Sequence, residues 1–209
     1  MPKDRPDLLA EVADYYTTKF AEHGETPRGV DWNGESSQTL RFEQLCRIID
    51  KKEQFTVNDL GCGYGALYSF LANKYENFSY LGVDVSEELV QAAEQRFVNQ
   101  SKSRFVKAST PDQIADYGVA SGIFNVRLGR SDEEWRSYFE HTLDELDRTS
   151  SAGFAFNCLT SYSDVEKMRD YLYYADPCVM FDLCKRRYST NVALLHDYDL
   201  YEFTILVRK

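Results

Sequence analysis

A glycine-rich segment in the first third of the chain constrains the fold most. Residues 57–65 read VNDLGCGYG, a β-rich run that passes into closely spaced glycines and then into a helical pattern over residues 66–74. Glycine at a strand-to-helix turn permits a tight turn and lets backbone N–H groups approach a ligand. The segment therefore predicts the first βα unit of a ligand-binding parallel sheet.

An acidic residue at the end of the next predicted strand points to the same kind of site. The run YLGVDVS contains Asp84 about 20 residues beyond the glycines, the spacing expected of a carboxylate that binds a ribose diol. Ser86 is a better N-cap than Asp84 for the helical run that follows. We therefore predict that Asp84 binds a ligand and that Ser86 caps the helix.

The spacing of the glycines discriminates between ligands. Dinucleotide-binding loops read GxGxxG, whereas this chain reads DxGxGxG from Asp59 to Gly65. No Lys follows where a P-loop would require one. The spacing therefore disfavours both NAD and ATP.

Together, DLGCGYG and GVDVS resemble motifs I and II of the class I S-adenosylmethionine (SAM)-dependent methyltransferases. The resemblance covers residues 55–209. In that family the glycine loop packs against the methionine and ribose parts of SAM, and the acid after the second strand holds the ribose hydroxyls. The resemblance implies SAM as cofactor, S-adenosylhomocysteine (SAH) as its product, and cofactor contacts from Asp59, Gly61, Gly63, Asp84 and Val85.

The order of predicted elements indicates the fold class. From Phe55 onward, short β-rich runs alternate with helical patterns, as in βαβ units of a parallel sheet. Residues 192–195 and 201–207 are strand-like and too closely linked for a helical crossover, which predicts an antiparallel hairpin. Helices are predicted at 163–174 and 177–187. We expect a doubly wound α/β fold with a mostly parallel seven-stranded sheet that contains one antiparallel strand.

The N-terminal segment has two amphipathic helical patterns, at residues 8–21 and 35–49, separated by a loop rich in Gly and Pro. We predict that residues 1–54 form a helical lid over cofactor and acceptor, and that 55–209 form the SAM-binding domain. In many members of the resembled family an Arg on such a helix pairs with the cofactor carboxylate. Arg41 resembles that residue, and a position on the wet face of its helix is the equal alternative.

Residues beyond the ends of the later strands are further candidates for the site, and each has more than one interpretation. The family's adenine-contacting acid after the third strand is absent, and Ser109 is a candidate in its place or part of a turn. Asn125 is predicted at the ligand crevice beyond the strand ends. His196, in the hairpin turn, is either a general base or a turn histidine bonded to the backbone. His141 is predicted to lie at the surface.

Composition and short motifs limit which class of methyl acceptor and which cell compartment we expect. A formal net charge of −10 disfavours a nucleic-acid partner, because binding phosphates needs clustered Lys and Arg. Residues 124–127 read FNVR rather than the [DN]PP[YFW] motif of enzymes that methylate DNA bases or glutamine. Five cysteines without CxxC spacing indicate neither disulfides nor a metal site. Without a signal-peptide or membrane-spanning pattern we expect a cytoplasmic protein, with no membrane partner and the oligomeric state left open.

The function predicted from these features is SAM-dependent methylation of a small molecule, with O or N as the methylated atom. An alternative is a catalytically inactive methyltransferase-like subunit that binds cofactor or a partner, against which the intact Asp59, glycines and Asp84 weigh. An NAD-dependent oxidoreductase is a weaker alternative because of the glycine spacing.

Overall fold

The computed structural model describes residues 5–50 and 53–209 and is built around a seven-stranded sheet. The strands are β1 (Phe55–Leu60), β2 (Phe78–Asp84), β3 (Ser103–Lys107), β4 (Ala115–Ala120), β5 (Ser150–Leu159), β6 (Asn191–Leu195) and β7 (Glu202–Arg208). Their order is β3-β2-β1-β4-β5-β7-β6, and β7 runs antiparallel to both of its neighbours while the other pairs are parallel. This confirms the predicted α/β sheet with one reversed strand.

Helices cover both faces of the sheet. The α-helices within the described residues are α1 (Arg5–His23), α2 (Glu35–Leu45), α3 (Ala66–Lys74), α4 (Glu87–Arg96), α5 (Asp132–Arg148) and α6 (Pro177–Arg187), and the 3-10 helices are Pro27–Val30, Cys46–Ile48 and Val165–Lys167. One apolar cluster joins the sheet to α2, α3 and α4, and a second joins it to α5 and α6. Two covered faces explain why consecutive residues of the central strands β1, β4, β5 and β7 are buried, instead of every second residue. Among the described helices, none combines the length and apolar character needed to cross a bilayer.

The N-terminal extension is attached to the sheet in two ways. Helix α2 is part of the same apolar cluster as β1 and α3. Helix α1 is held partly by polar contacts: Thr17 Oγ1 lies 2.8 Å from Ser86 Oγ after β2, and Arg130 before α5 donates to Glu11 at 2.6 Å. A small apolar cluster adds Leu8, Val12 and Trp135. Helix α1 therefore bridges the connections that follow β2 and β4. Residues 1–4 and 51–52 of the predicted extension lie outside the described residues.

The helix predicted over residues 163–174 is wrong. Only Val165–Lys167 is helical there, and it is a 3-10 helix. The backbone of this segment pairs with the connection after β4, since Tyr173 N donates to the Asn125 carbonyl at 2.8 Å and the Tyr171 carbonyl accepts two N–H groups of that connection. Hydrogen bonds to the connection after β4 thus replace the local bonds of a helix. Residues 163–174 form an irregular segment that lies over the end of β4, and we call this segment the strap.

Helix α5, one side of which borders the cavity described below, begins with a capping box. Ser131 Oγ accepts from Glu134 N at 3.3 Å, and Glu134 Oε2 accepts from Ser131 N at 2.9 Å. Ser131→Ala removes the side-chain acceptor and leaves the N–H of Glu134, which the helix itself does not pair, without a partner. We therefore expect this substitution to lower the free energy of unfolding by about 1 kcal/mol. Urea unfolding followed by circular dichroism measures this.

The matched control for this substitution is Ser101→Ala, because Ser101 is exposed in a turn. We expect the control to stay within about 0.5 kcal/mol of the parent protein. A Ser131→Ala protein as stable as the control would show that the capping box does not stabilise α5.

Candidate active site

A cavity of about 190 Å³ opens at the carboxyl ends of β1, β2 and β4. The N-terminal extension forms one wall with Leu9, Val12, Tyr16, Val30, Trp32, Gln38 and Phe42. The glycine loop and the residues that follow β2 and β4 form the floor. Ligands of open parallel sheets bind in this position, because the strand ends and the loops between them create a crevice there.

The glycine loop turns through left-handed backbone conformations. Gly61, Gly63 and Gly65 have φ angles of +78°, +54° and +80°, which side chains other than glycine adopt rarely. The N–H groups of Gly61 and Cys62 both donate to the Val83 carbonyl. These N–H groups therefore brace the loop against β2 instead of facing a ligand, contrary to the expectation from sequence. The glycines supply the left-handed turn, and Gly61 also allows Ile123 to pack closely, because a Cβ there would lie 2.1 Å from Ile123 Cγ2.

Asp84 is buried and lies in the cavity lining, as predicted. Its Oδ2 accepts from Gly63 N and its Oδ1 from Ser86 N, each at 2.9 Å. Burial raises the pKa of Asp84, and these backbone hydrogen bonds act in the opposite direction. Ser86 caps α4 by accepting from Leu89 N, as expected. A carboxylate has about four acceptor positions, so Asp84 can brace the loop and still accept from a ligand.

Asp59 is the second buried carboxylate of the lining. Its Oδ2 accepts from the Tyr80 hydroxyl at 2.5 Å, and its Oδ1 has no hydrogen-bond partner. Burial raises the pKa of Asp59, the Tyr80 hydrogen bond lowers it and the charge of Asp84 raises it, so that the pKa is about 7. A buried carboxylate oxygen without a partner is costly, and a cationic or hydrogen-bond-donating ligand group would remove that cost.

The second wall of the cavity comes from α5, which sequence reasoning missed. Residues 108–114 connect β3 to β4 without a helix, although a parallel crossover usually needs about a dozen residues or more. One side of α5 is therefore left open to the cavity, while its inner face packs on the sheet. Tyr138, His141, Thr142 and Glu145 line it, opposite Ala108, Ser109 and Thr110. His141 thus lies in the cavity lining and not at the surface as predicted. The short link between the third and fourth β-rich runs was the sequence signal that could have indicated this, because it leaves no room for a helix between them.

Two predicted catalytic residues lie outside the lining. Asn125 is buried, and its Oδ1 accepts from Leu159 N at 3.1 Å, so this side chain fixes the end of β5. His196 is exposed, and its ring lies 5.9 Å from that of Tyr162 and 6.4 Å from that of Phe203. The hairpin turn is at the carboxyl edge as the topology predicted, but its imidazole is not part of the cavity. Catalysis by His196 stays a prediction that this geometry does not support.

Arg41 has a partner within the protein. Its Nε and Nη2 donate to the two carboxylate oxygens of Glu202, at 2.8 and 2.9 Å, and it is absent from the lining. Arg41 is therefore paired with Glu202 and does not face the cavity, where the predicted pairing with a cofactor carboxylate would have to form. The wet-face alternative is wrong as well, because Arg41 is only 6% exposed. Val85 and Ser109 do line the cavity, as do Asp59, Gly61, Gly63 and Asp84.

Comparison with known proteins agrees with this geometry. A family model described as a methyltransferase domain matches residues 57–148. A Mycobacterium tuberculosis protein provisionally named as a methyltransferase, Rv1506c, is 60% identical over 163 residues, which cover 78% of this chain and 98% of the relative. Its name gives no acceptor.

Solved structures share the fold at low identity. Magnesium protoporphyrin IX methyltransferase (ChlM) from Synechocystis PCC 6803 with bound SAM is 13% identical, with a TM-score of 0.68 over 96% of this chain and 97% of that one. The DhpI–SAM–HEP complex is 14% identical, with a TM-score of 0.68 over 97% and 98% of the two chains. The mycobacterial relative is close enough over most of both chains to place this chain in the family of class I SAM-dependent methyltransferases, with SAM as its cofactor.

Proposed function

We propose that the enzyme transfers the methyl group of SAM to an oxygen or nitrogen atom of a small molecule inside the cavity between the N-terminal extension and the sheet. One observation carries this proposal: the motif residues Asp59, Gly63 and Asp84 open into a cavity that α1 covers. An acceptor must fit beneath this helix to reach the loop. A compact molecule can do so more readily than a nucleic acid, which the net charge of −10 also disfavours.

The lining suits SAM. The unpartnered Oδ1 of Asp59 provides a buried anionic site for a positive charge, and Asp84 keeps acceptor capacity for hydroxyl groups. Gly61 and Gly63 line the cavity at the glycine loop, and Val85 and Ser109 line it beyond β2 and β3. We assign cofactor binding to these residues. Bound SAM supplies an electrophilic methyl group on a sulfonium.

The protein's own contribution is alignment and exclusion of water. Leu9, Val12 and Trp32 belong to the wall that the N-terminal extension forms, and these apolar side chains cover the polar floor of the cavity. We call them the cover. A dry, covered cavity strengthens electrostatic interactions and keeps the reacting atoms in line. Because several of the contacts of α1 are polar and exposed, this helix is suited to open for ligand exchange.

A transfer assay tests the proposed function. The purified enzyme is incubated with SAM labelled in its methyl group and with bacterial extract separated into small-molecule and macromolecular fractions. We expect label to enter the small-molecule fraction. Label that enters only protein or nucleic acid, or none at all from a protein that binds SAH, would contradict the proposal.

The role of Asp84 is tested by Asp84→Ala. A hydrogen bond to a charged group contributes about 1.5–3 kcal/mol, so we expect affinity for SAM and SAH to fall at least about tenfold. Isothermal titration measures this, with circular dichroism to confirm folding. Asp182→Ala, which removes an exposed carboxylate of α6, is the control and should bind as the parent does. A folded Asp84→Ala protein with parental affinity would refute the assignment.

The pKa of Asp59 predicts how SAM binding depends on pH. Because only the ionised carboxylate attracts a positive charge and its pKa is about 7, affinity for SAM should fall as the pH decreases from about 8 to about 6. Tyr80→Phe removes the hydrogen bond that lowers this pKa, so the decline should begin at a higher pH. Titrations across this range measure both profiles. Asp59→Asn should remove the pH dependence, and an unchanged profile in that variant would assign it to another group.

A further inference from the structure

Five residues from distant parts of the chain form a closed ring beside the cavity. Gly122 N donates to Asn157 Oδ1 at 2.7 Å, and Asn157 Nδ2 donates to Glu202 Oε2 at 3.2 Å. Glu202 accepts two hydrogen bonds from Arg41, whose guanidinium stacks 3.9 Å from the centre of the Trp32 ring. Trp32 closes the ring against Gly122, since a Cβ on that glycine would lie 2.4 Å from the indole.

The polar members of the ring are buried. Asn157 is 0% exposed, Glu202 1% and Arg41 6%. Removing two charges from water offsets most of their attraction, so an apolar pair of similar volume is often equally stable. A bidentate Arg–carboxylate pair does, however, define direction and distance closely. Stability alone is therefore a weak explanation for these charges, and fixed geometry is a better one.

The ring borders the cavity through only two of its members. Trp32 and Gly122 line the cavity, whereas Arg41, Asn157 and Glu202 lie behind them. Gly122 follows β4 and has a φ of +79°. Its neighbour Ser121 also lines the cavity, with a buried Oγ that has no partner. The ring thus links the cover, through Trp32, to the turn at the end of β4.

We infer that Arg41, Glu202 and Asn157 are positioning residues that hold Trp32 and the turn after β4 as one rigid wall of the reaction cavity. This inference rests on the proposed function, since it assigns the wall to methyl transfer. Arg41 fixes one face of the indole, and Asn157 fixes the backbone that the indole touches. In-line transfer depends on alignment, so a wall that can shift lowers the rate even where the cofactor still binds.

Fluorine NMR can observe the wall directly. The protein has two tryptophans, so 5-fluorotryptophan labelling gives two resonances, which Trp32→Phe assigns. Trp32 reports on the ring. Trp135 is fully buried, and its Nε1 donates to the Phe124 carbonyl at 2.9 Å, so its resonance reports on the fold.

The decisive variant combines Arg41→Met with Glu202→Leu, which replaces the buried ion pair by apolar side chains and is expected to preserve the fold. We expect an unchanged Trp135 resonance and a shifted, broadened Trp32 resonance without any ligand. Methyl transfer into the small-molecule fraction should fall at least about tenfold, while SAH affinity stays within about threefold of the parent. Asp182→Ala with Arg186→Ala removes an exposed ion pair and should change none of these.

The outcomes separate the two proposals. A sharp, unshifted Trp32 resonance, or unchanged transfer in the folded double variant, would overturn the positioning role. If the Trp135 resonance also changes, Arg41→Lys replaces the double variant, because it keeps the charge and removes the planar fork, and the same readouts decide. If the parent protein transfers no methyl group, the proposed function fails, and the Trp32 resonance still shows whether the ring fixes the indole.

Discussion

The hydrogen bonds that tie the glycine loop to the end of β2 are the interactions on which the site depends. The Val83 carbonyl accepts from Gly61 and Cys62, and Asp84 accepts from Gly63. Together they hold the left-handed turn at the carboxyl edge, and the first two residues of α3, Ala66 and Leu67, line the cavity. Because these bonds use the N–H groups of Gly61, Cys62 and Gly63, the lining at the loop consists of glycine surface and two carboxylates instead of a nest of these donors. Such a loop is suited to a cofactor without phosphate groups.

Two buried carboxylates close together give the cavity its electrostatic character. Asp84 is stabilised by backbone donors, whereas Asp59 has one phenolic donor and one bare oxygen. Burial, with the charge of Asp84 added to it, raises the pKa of Asp59 to about 7, and the single Tyr80 hydrogen bond only partly opposes this. A positively charged ligand would relieve that cost, which couples the binding of a cation to the loss of a proton.

The N-terminal extension has two physically different halves. Helix α2 is packed in the sheet's own apolar core and carries Arg41 of the buried ring. Helix α1 is held by a small apolar cluster and by exposed polar contacts. Helix α2 is therefore fixed to the sheet, whereas α1, which covers the cavity, is attached more weakly.

Local patterns in the sequence determined the glycine loop, Asp84, the Ser86 cap and the alternation of strands and helices, because each depends on backbone conformation or on hydrophobic period over a few residues. They also determined the reversed last strand, since a short link permits only a hairpin. The partners of long polar side chains were decided by tertiary structure. Arg41 and Glu202 are 161 positions apart, and no local pattern relates them.

Tertiary partners also explain the remaining differences between the site predicted from the sequence and the site in the structure. His141 is open to the cavity only because the crossover from β3 to β4 contains no helix, and Asn125 is occupied because β5 ends beside it. The strap at residues 163–174 has helical periodicity, but its backbone finds hydrogen-bond partners after β4. A sequence specifies which groups need a partner or burial. Which partner each group obtains depends on chain segments that only folding brings together.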